Sequence, residues 1–260
     1  MPLHEPCHGG FTWVSRVEWA YRVAVATVTT QQAPRKTAKP GKFSNSVVKK
    51  AVMAVSGLIM IAYLIAHMTG NLHAFQGADA YNDYATFLRT FGEPALPRRT
   101  LLTIIEIVLV LSVVGHMWAA FSLWAQARRA RPVPYVTKKR VQQSYASRTV
   151  RWGGVIILAF IIYHILDLTA GTINPAGTGT EPYDRLISDF TNPWITIWYC
   201  ISLLLIGFHL RHGIWSATQT LGQTNKRRER AVNIGAYVIS TLITAGFLLV
   251  PLSIAFGLID

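Results

Sequence analysis

Residues 207–222 read GFHLRHGIWSATQTLG and close an apolar run that begins near Trp194. The run is long enough to cross a bilayer, which takes about 20 helical residues. It nevertheless carries His209, Arg211, His212 and Trp215. Ionisable side chains inside a membrane segment are costly and are usually kept for a job, so what these imidazoles hold decides both fold and function. The surrounding chain is equally apolar. Of 260 residues, 51% are hydrophobic and 14% charged, and the mean hydropathy of +0.31 lies outside the range of an ordinary soluble domain. The chain reads as an all-α integral membrane protein.

Five segments are long and apolar enough to span: 47–71, 101–127, 150–170, 194–219 and 233–257. With the N-terminus inside, three basic regions fall on the cytoplasmic side: 35–50, RRARPVPYVTKKR with Arg148 and Arg151, and NKRRER. They hold six, eight and four Lys+Arg, against four outside: Arg89, Arg98, Arg99 and Arg185. The positive-inside rule therefore fixes the orientation in a cytoplasmic membrane. It also explains the net charge of +13 without nucleic acid, since cationic loops meet an anionic leaflet. Trp118, Trp124, Trp152 and Trp215 then fall at the inner interface, and Trp194 and Trp198 at the outer one.

Residues 1–45 differ in kind from the membrane domain, 46–260. They contain Pro2, Pro6, Pro34 and Pro40, and their middle piece WVSRVEWAYRVAVATV is too short and too charged to span, with Arg16, Glu18 and Arg22 inside it. They read as a cytoplasmic extension with one short amphipathic helix on the membrane surface or on a partner. No apolar core with a small-residue cleavage site marks them as a signal peptide. Cys7 and Cys200 fall at opposite ends of this topology, which supports neither a disulfide framework nor a thiolate metal site.

The spans carry His67, His116, His164, and His209 with His212, in the first four helices in turn; the fifth has none. That is the pattern needed to bind two haems between helices one to four, because each iron takes two axial imidazoles from facing directions. Depth sorts the pairs. From the inner surface His67 lies about 20 and His164 about 14 residues along their helices, which puts both in the outer half of a core roughly 30 Å thick. From the outer surface His116 and His209 each lie about 15 residues in, within the inner third. His67 with His164 would ligate an outer haem, and His116 with His209 an inner one. His73, about 9 Å further out than His67, suits an interface residue or a propionate neighbour. His212 shares a face with His209 but sits about 4.5 Å nearer the inner surface, a poorer match to His116.

LIAHMTGNLHAF (64–75), GADAYNDYATFL (77–88), GHMWAAFSLW (115–124), IYHILDLT (162–169) and GFHLRHGIWSATQTLG follow one another, one per helix or loop. Together they resemble the five-helix, di-haem cytochrome b anchor of succinate dehydrogenases and fumarate reductases, over roughly 47–260. The resemblance implies two b haems held by His67, His116, His164 and His209. It also implies soluble flavoprotein and iron–sulfur partners, and a membrane quinone, menaquinone or ubiquinone, as acceptor. Lys49, Arg148 and Arg151 are the cations nearest to a membrane-level propionate.

Quinone chemistry needs proton-exchanging groups within reach of the quinone oxygens. The spans hold two carboxylates, Glu106 and Asp167, both on the outer side, which places the expected quinone site there; Tyr63, His73, Asp79 and Asp83 are weaker candidates. An inner site beside the iron–sulfur partner is the competing placement. Two other functions fit parts of the pattern: a di-haem anchor for a hydrogenase or formate dehydrogenase, and a transporter whose histidines line a proton path.

Overall fold

The computed structural model describes residues 45–130, 145–222 and 225–260, without the side chains of 145–149, 226 and 227. All but the last residue of the expected extension over 1–45, with Cys7 and the side chain of Arg148, therefore lies outside the described residues. What is described is helical throughout: α1 Ser46–Asn71, a 3-10 turn Leu72–Gln76, α2 Ala78–Thr90, α3 Thr100–Arg129, α4 Tyr145–His164, a π turn Ile165–Thr169, α5 Pro182–Phe190, α6 Pro193–Thr220 and α7 Lys226–Ala255. Five helices, α1, α3, α4, α6 and α7, are long and apolar enough to cross a membrane, and the chain is a multi-pass membrane protein. Their outward faces carry large apolar side chains such as Ile107, Leu111 and Leu242, which lipid rather than protein would cover.

Local chemistry sets the helix starts. The Asn45 side chain accepts the Val47 N–H at 3.0 Å, and Asn192 accepts the Trp194 N–H at 3.0 Å ahead of Pro193 at the first helical position. Alternation of direction along the chain gathers Lys49, Lys50, Arg128, Arg129 and Arg151 at one end of the bundle, the basic end. The other, loop end carries α2, α5 and the C-terminus.

Two antiparallel hairpins form the body. α1 packs on α3, α4 packs on α6, and the hairpins meet along α1 and α6. α7 packs behind that seam on α6 and α1, where Leu203, Leu210, Ile243 and Phe247 form one buried cluster. Around the resulting square the order is α3, α1, α6, α4. Among the described residues α3 and α4 share no extended interface, and neither do the diagonal partners α1 with α4 or α3 with α6.

A cap closes the loop end. α5 packs on α2, α6 and α7, and buries Tyr183, Leu186 and Phe190 against Phe160, Tyr199, Val250 and Ile254. Its backbone N–H at Tyr183 donates to the Asn82 side chain of α2 at 3.1 Å, and the Tyr183 hydroxyl donates to the Asp260 carbonyl at 2.8 Å. Arg185 terminates the fourth-helix segment: its guanidinium donates to the carbonyls of Leu168, Thr169, Thr178 and Thr180 at 3.3, 3.1, 3.2 and 2.8 Å. A cation on the last carbonyls suits the negative pole of that helix. Gly171 makes the tight return possible, with φ +70 and only 3.0 Å between a Cβ there and the Gly177 carbonyl oxygen.

Candidate functional site

The square encloses a cavity of about 1720 Å³ that runs from Val47, Lys50 and Arg151 at the basic end to Asn71, Leu168 and Phe190 at the loop end. It exceeds the roughly 300–1,000 Å³ of most small-molecule sites. Its walls are apolar except at a few positions, and those positions include all of His67, His116, His164, His209 and His212.

Four of these rings stand in two facing pairs. His67 on α1 meets His164 on α4 with ring centroids 5.7 Å apart and planes at 70°. His116 on α3 meets His209 on α6 at 6.2 Å and 62°. Each pair therefore spans one diagonal of the square, between helices that otherwise do not pack together. His212 also lines the cavity, one turn nearer the basic end, and none of the described histidine rings stacks on it.

The rings are oriented by their neighbours. His116 Nδ1 lies 3.1 Å from the Met53 carbonyl and 3.3 Å from the Ser56 hydroxyl, and a contact with a carbonyl requires Nδ1 to carry the proton. Its Nε2 is left with a free lone pair, the arrangement that fixes a ligating tautomer. His67 is stacked by Tyr63 at 5.3 Å and 11°, and Phe247 closes on it at 5.5 Å. His164 lies between Phe160 and Tyr199, with the Tyr199 hydroxyl 3.5 Å from its Nδ1. His209 buries its Nδ1 with no hydrogen-bond partner, a cost of about 1–3 kcal/mol for a polar group of this kind.

This donor set fits a macrocyclic iron better than a bare ion. No group of three or more His, Cys, Asp or Glu able to hold a metal occurs among the described residues, whereas zinc and copper sites take three or four protein ligands. Haem iron needs only two, its equatorial positions being filled already. Two imidazole nitrogens each about 2 Å from a shared ion set their ring centres roughly 6 Å apart, close to both observed pairs. Glycines lie against the basic-end pair: a Cβ on Gly57 would touch His116 Cε1 at 3.6 Å, and one on Gly154 would touch His209 Cε1 at 3.7 Å.

The remaining candidates separate. Lys49 is turned away from the cavity, its ammonium 5.9 Å from the Trp118 ring, and it is the adjacent Lys50 that lines the basic mouth. Arg151 lines it as well, from α4, with its guanidinium 5.9 Å from the Trp124 ring of α3. Arg211 leaves the cavity and stacks at 3.5 Å on Tyr237 of α7. Glu106 points outward, its side chain 47% exposed, and accepts from Arg99 at 3.2 Å. Asp167 is fully buried and stands behind the cavity wall, taking the Tyr199 hydroxyl at 2.9 Å and Asn174 Nδ2 at 3.1 Å. His73 stacks on Tyr84 at 4.4 Å and bonds the Gly70 carbonyl at 3.1 Å, while Asp79 and Asp83 lie on the exposed face of α2. Cys200 is a free, half-buried thiol on α6. Sequence reasoning did not single out Lys50, Ser56, Asn174, Asp189 or Tyr199.

Fold and site define a class: a five-span helical membrane protein with two histidine pairs bridging the diagonals of an apolar cavity. One comparison with characterised proteins finds a similar chain. The chain is 26% identical over 184 residues to the succinate dehydrogenase cytochrome b558 subunit of Bacillus subtilis (strain 168), covering 70% of this chain and 82% of that protein. The relationship is distant. No family model and no solved structure matches the chain.

Proposed function

We propose that this chain is the membrane-anchor cytochrome b subunit of a succinate:quinone oxidoreductase. The observation that carries the reading is the pair of histidine bridges across the two diagonals at two levels of one cavity. The relation to a succinate dehydrogenase cytochrome b subunit supports the same role. His67 with His164, and His116 with His209, would each hold one b haem. When bound, the haems supply reversible one-electron chemistry between an iron–sulfur partner and a membrane quinone.

The chain's own residues do the holding. Met53 and Ser56 keep His116 in the tautomer that offers Nε2, and Tyr63 and Phe247 fix the plane of His67. Lys50 and Arg151 at the basic mouth would face carboxylate groups of a bound haem. The positive-inside reading puts this end toward the cytoplasm, where the flavoprotein and iron–sulfur subunits would dock. The apolar wall excludes water from both levels.

A quinone arriving through lipid could reach Glu106 directly, since Glu106 faces the bilayer at the loop end and is held by Arg99. Asp167 is sealed and could act on that site only through intervening groups such as Tyr199. Glu106 is therefore the residue we assign to proton exchange with menaquinone or ubiquinone on the outer side.

Purification of the complex followed by an optical redox titration with succinate as donor tests the whole reading. Two b-type components reducible by succinate are expected. His116→Ala should remove one and His164→Ala the other, and Glu106→Gln should slow quinone turnover while leaving both spectra and artificial-acceptor activity intact. A complex without haem absorbance overturns the cytochrome reading. Normal quinone turnover in Glu106→Gln overturns the outer site.

A further inference from the structure

His164 is connected to a buried pair of carboxyl groups. The Tyr199 hydroxyl spends its one proton on Asp167 Oδ2 at 2.9 Å, so toward His164 Nδ1, 3.5 Å away, its oxygen can only accept. The contact is attractive when Nδ1 carries the hydrogen, the tautomer that leaves the lone pair on Nε2. The result is a chain running from the imidazole N–H through a phenol to a carboxylate.

Behind Asp167 stands Asp189 of α5, also with no solvent exposure, and neither of its oxygens accepts from a donor of the described chain. Among the described residues no lysine or arginine bonds either carboxyl; Arg185 gives its guanidinium to the backbone carbonyls of Leu168, Thr169, Thr178 and Thr180. Two adjacent buried carboxyls without a cation cannot both ionise. Burial, and then the Asp167 carboxylate beside it, push Asp189 up to about 8. Asp167 accepts from Tyr199 and from Asn174 Nδ2 at 3.1 Å, two donors of the kind that favour a carboxylate, whereas Asp189 has neither.

We propose that Tyr199 and Asp167 are positioning residues for the His164 imidazole, relaying one buried negative charge to its Nδ1–H and making it the more strongly electron-donating ring of the two α3/α4 histidines. The contrast is with His116, whose Nδ1–H rests on the neutral Met53 carbonyl. A ring whose far N–H is drawn toward a carboxylate is a more basic ligand, and a more basic ligand favours the oxidised metal. The relay rests on the haem reading above. It adds that the two levels are tuned by different partners, so that the loop-end haem can be adjusted alone.

The test is a redox titration of both b components in the intact complex, with low-spin signals followed in parallel, for Tyr199→Phe, Asp167→Asn and Asp189→Asn. Outer-shell partners of metal-bound histidines typically change ligand strength by roughly tenfold or more. A tenfold change in the oxidised-to-reduced ratio is about 59 mV for one electron. Tyr199→Phe and Asp167→Asn should each raise the loop-end midpoint by about that much and leave the basic-end midpoint in place. Their combination should add little, because both cut one chain. Asp189→Asn keeps a donor against Asp167 and should leave both midpoints near their starting values. An unchanged loop-end midpoint in Tyr199→Phe, or equal shifts at both levels, overturns the relay; that variant removes a single hydroxyl and decides the matter even where Asp167→Asn does not assemble. A shift in Asp189→Asn as large as that in Asp167→Asn overturns the placement of the charge. An unmodified complex with no b-type absorbance overturns the haem reading and the relay with it, a result distinct from normal haems with unmoved midpoints.

Discussion

Replacing Arg185 by Met keeps the aliphatic stem and removes the guanidinium that holds the loop-end cap. Four backbone carbonyls lose a charged donor, at Leu168, Thr169, Thr178 and Thr180. The contacts to Thr169 and Thr178 are exposed, so water replaces them at little cost. Those to Leu168 and Thr180 are partly buried. Hydrogen bonds to charged groups contribute about 1.5–3 kcal/mol each, and partial exposure here favours the lower half of that range. Those two bonds come to about 3–4.5 kcal/mol, a range that takes in the cation's favourable position at a helix C-terminus. For a domain of this size 1 kcal/mol moves the midpoint by roughly 2–4 °C, so Arg185→Met should melt about 6–18 °C below the parent in detergent. Arg185→Lys should recover only a minor part, because one ammonium cannot bridge carbonyls on both sides of the turn. Tryptophan fluorescence or a thiol-reactive dye reporting on Cys200 would follow the transition. A variant melting within 1–2 °C of the parent would refute the capping argument, since it would mean that water satisfies all four carbonyls equally well.

Two further outcomes follow from the site. His209→Leu should abolish the low-spin signal of the basic-end haem, whereas His212→Gln should retain it; loss in the second variant alone would move the ligand by one helical turn. Stability should also depend on pH through the acid pair. Asp189 is raised from 3.8 to about 8 by burial and by Asp167, so between these values the folded chain holds a proton that the unfolded chain has released. Stability therefore falls as pH rises from about 4 to 8, and the groups facing Asp189 are Asp167, Tyr163 and Tyr199. Asp189→Asn should flatten that dependence in thermal melts, and an unaltered slope would show that Asp189 is ionised in the folded state.

Much of this architecture is legible in the sequence because a bilayer leaves few options. Five apolar runs and a lopsided distribution of Lys and Arg are signals of length and composition, and counting residues from each interface selects the same rings that stand 5.7 and 6.2 Å apart. Rotation about a helix axis is less legible. Lys49 and Lys50 are neighbours in sequence but about 100° apart on the helix, so one lies against Trp118 while the other lines the cavity. Glu106 and Asp167 both read as membrane carboxylates, yet one faces lipid beside Arg99 and the other is sealed under α5. Tyr199 and Asp189 escaped notice for a different reason. A tyrosine inside a span and an aspartate in a short amphipathic helix are unremarkable alone; the packing of α6 on α4 brings the first to Asp167, and the folding of α5 over the π turn brings the second.

That α3 and α4 share no extended interface among the described residues has a consequence for how the molecule is made. Each hairpin could settle in the bilayer in chain order and join its fellow along α1 and α6, leaving the fourth side of the square, between the described parts of α3 and α4, as a seam held by little more than Arg151 over Trp124. A flat, apolar guest dissolved in the membrane could slide in edgewise through that seam without any helix having to be withdrawn. Once ligated from opposite corners it would act as the fourth wall. Biogenesis would then run from a loosely latched scaffold to a closed one, and the last step would be timed by supply of the guest rather than by synthesis of the chain.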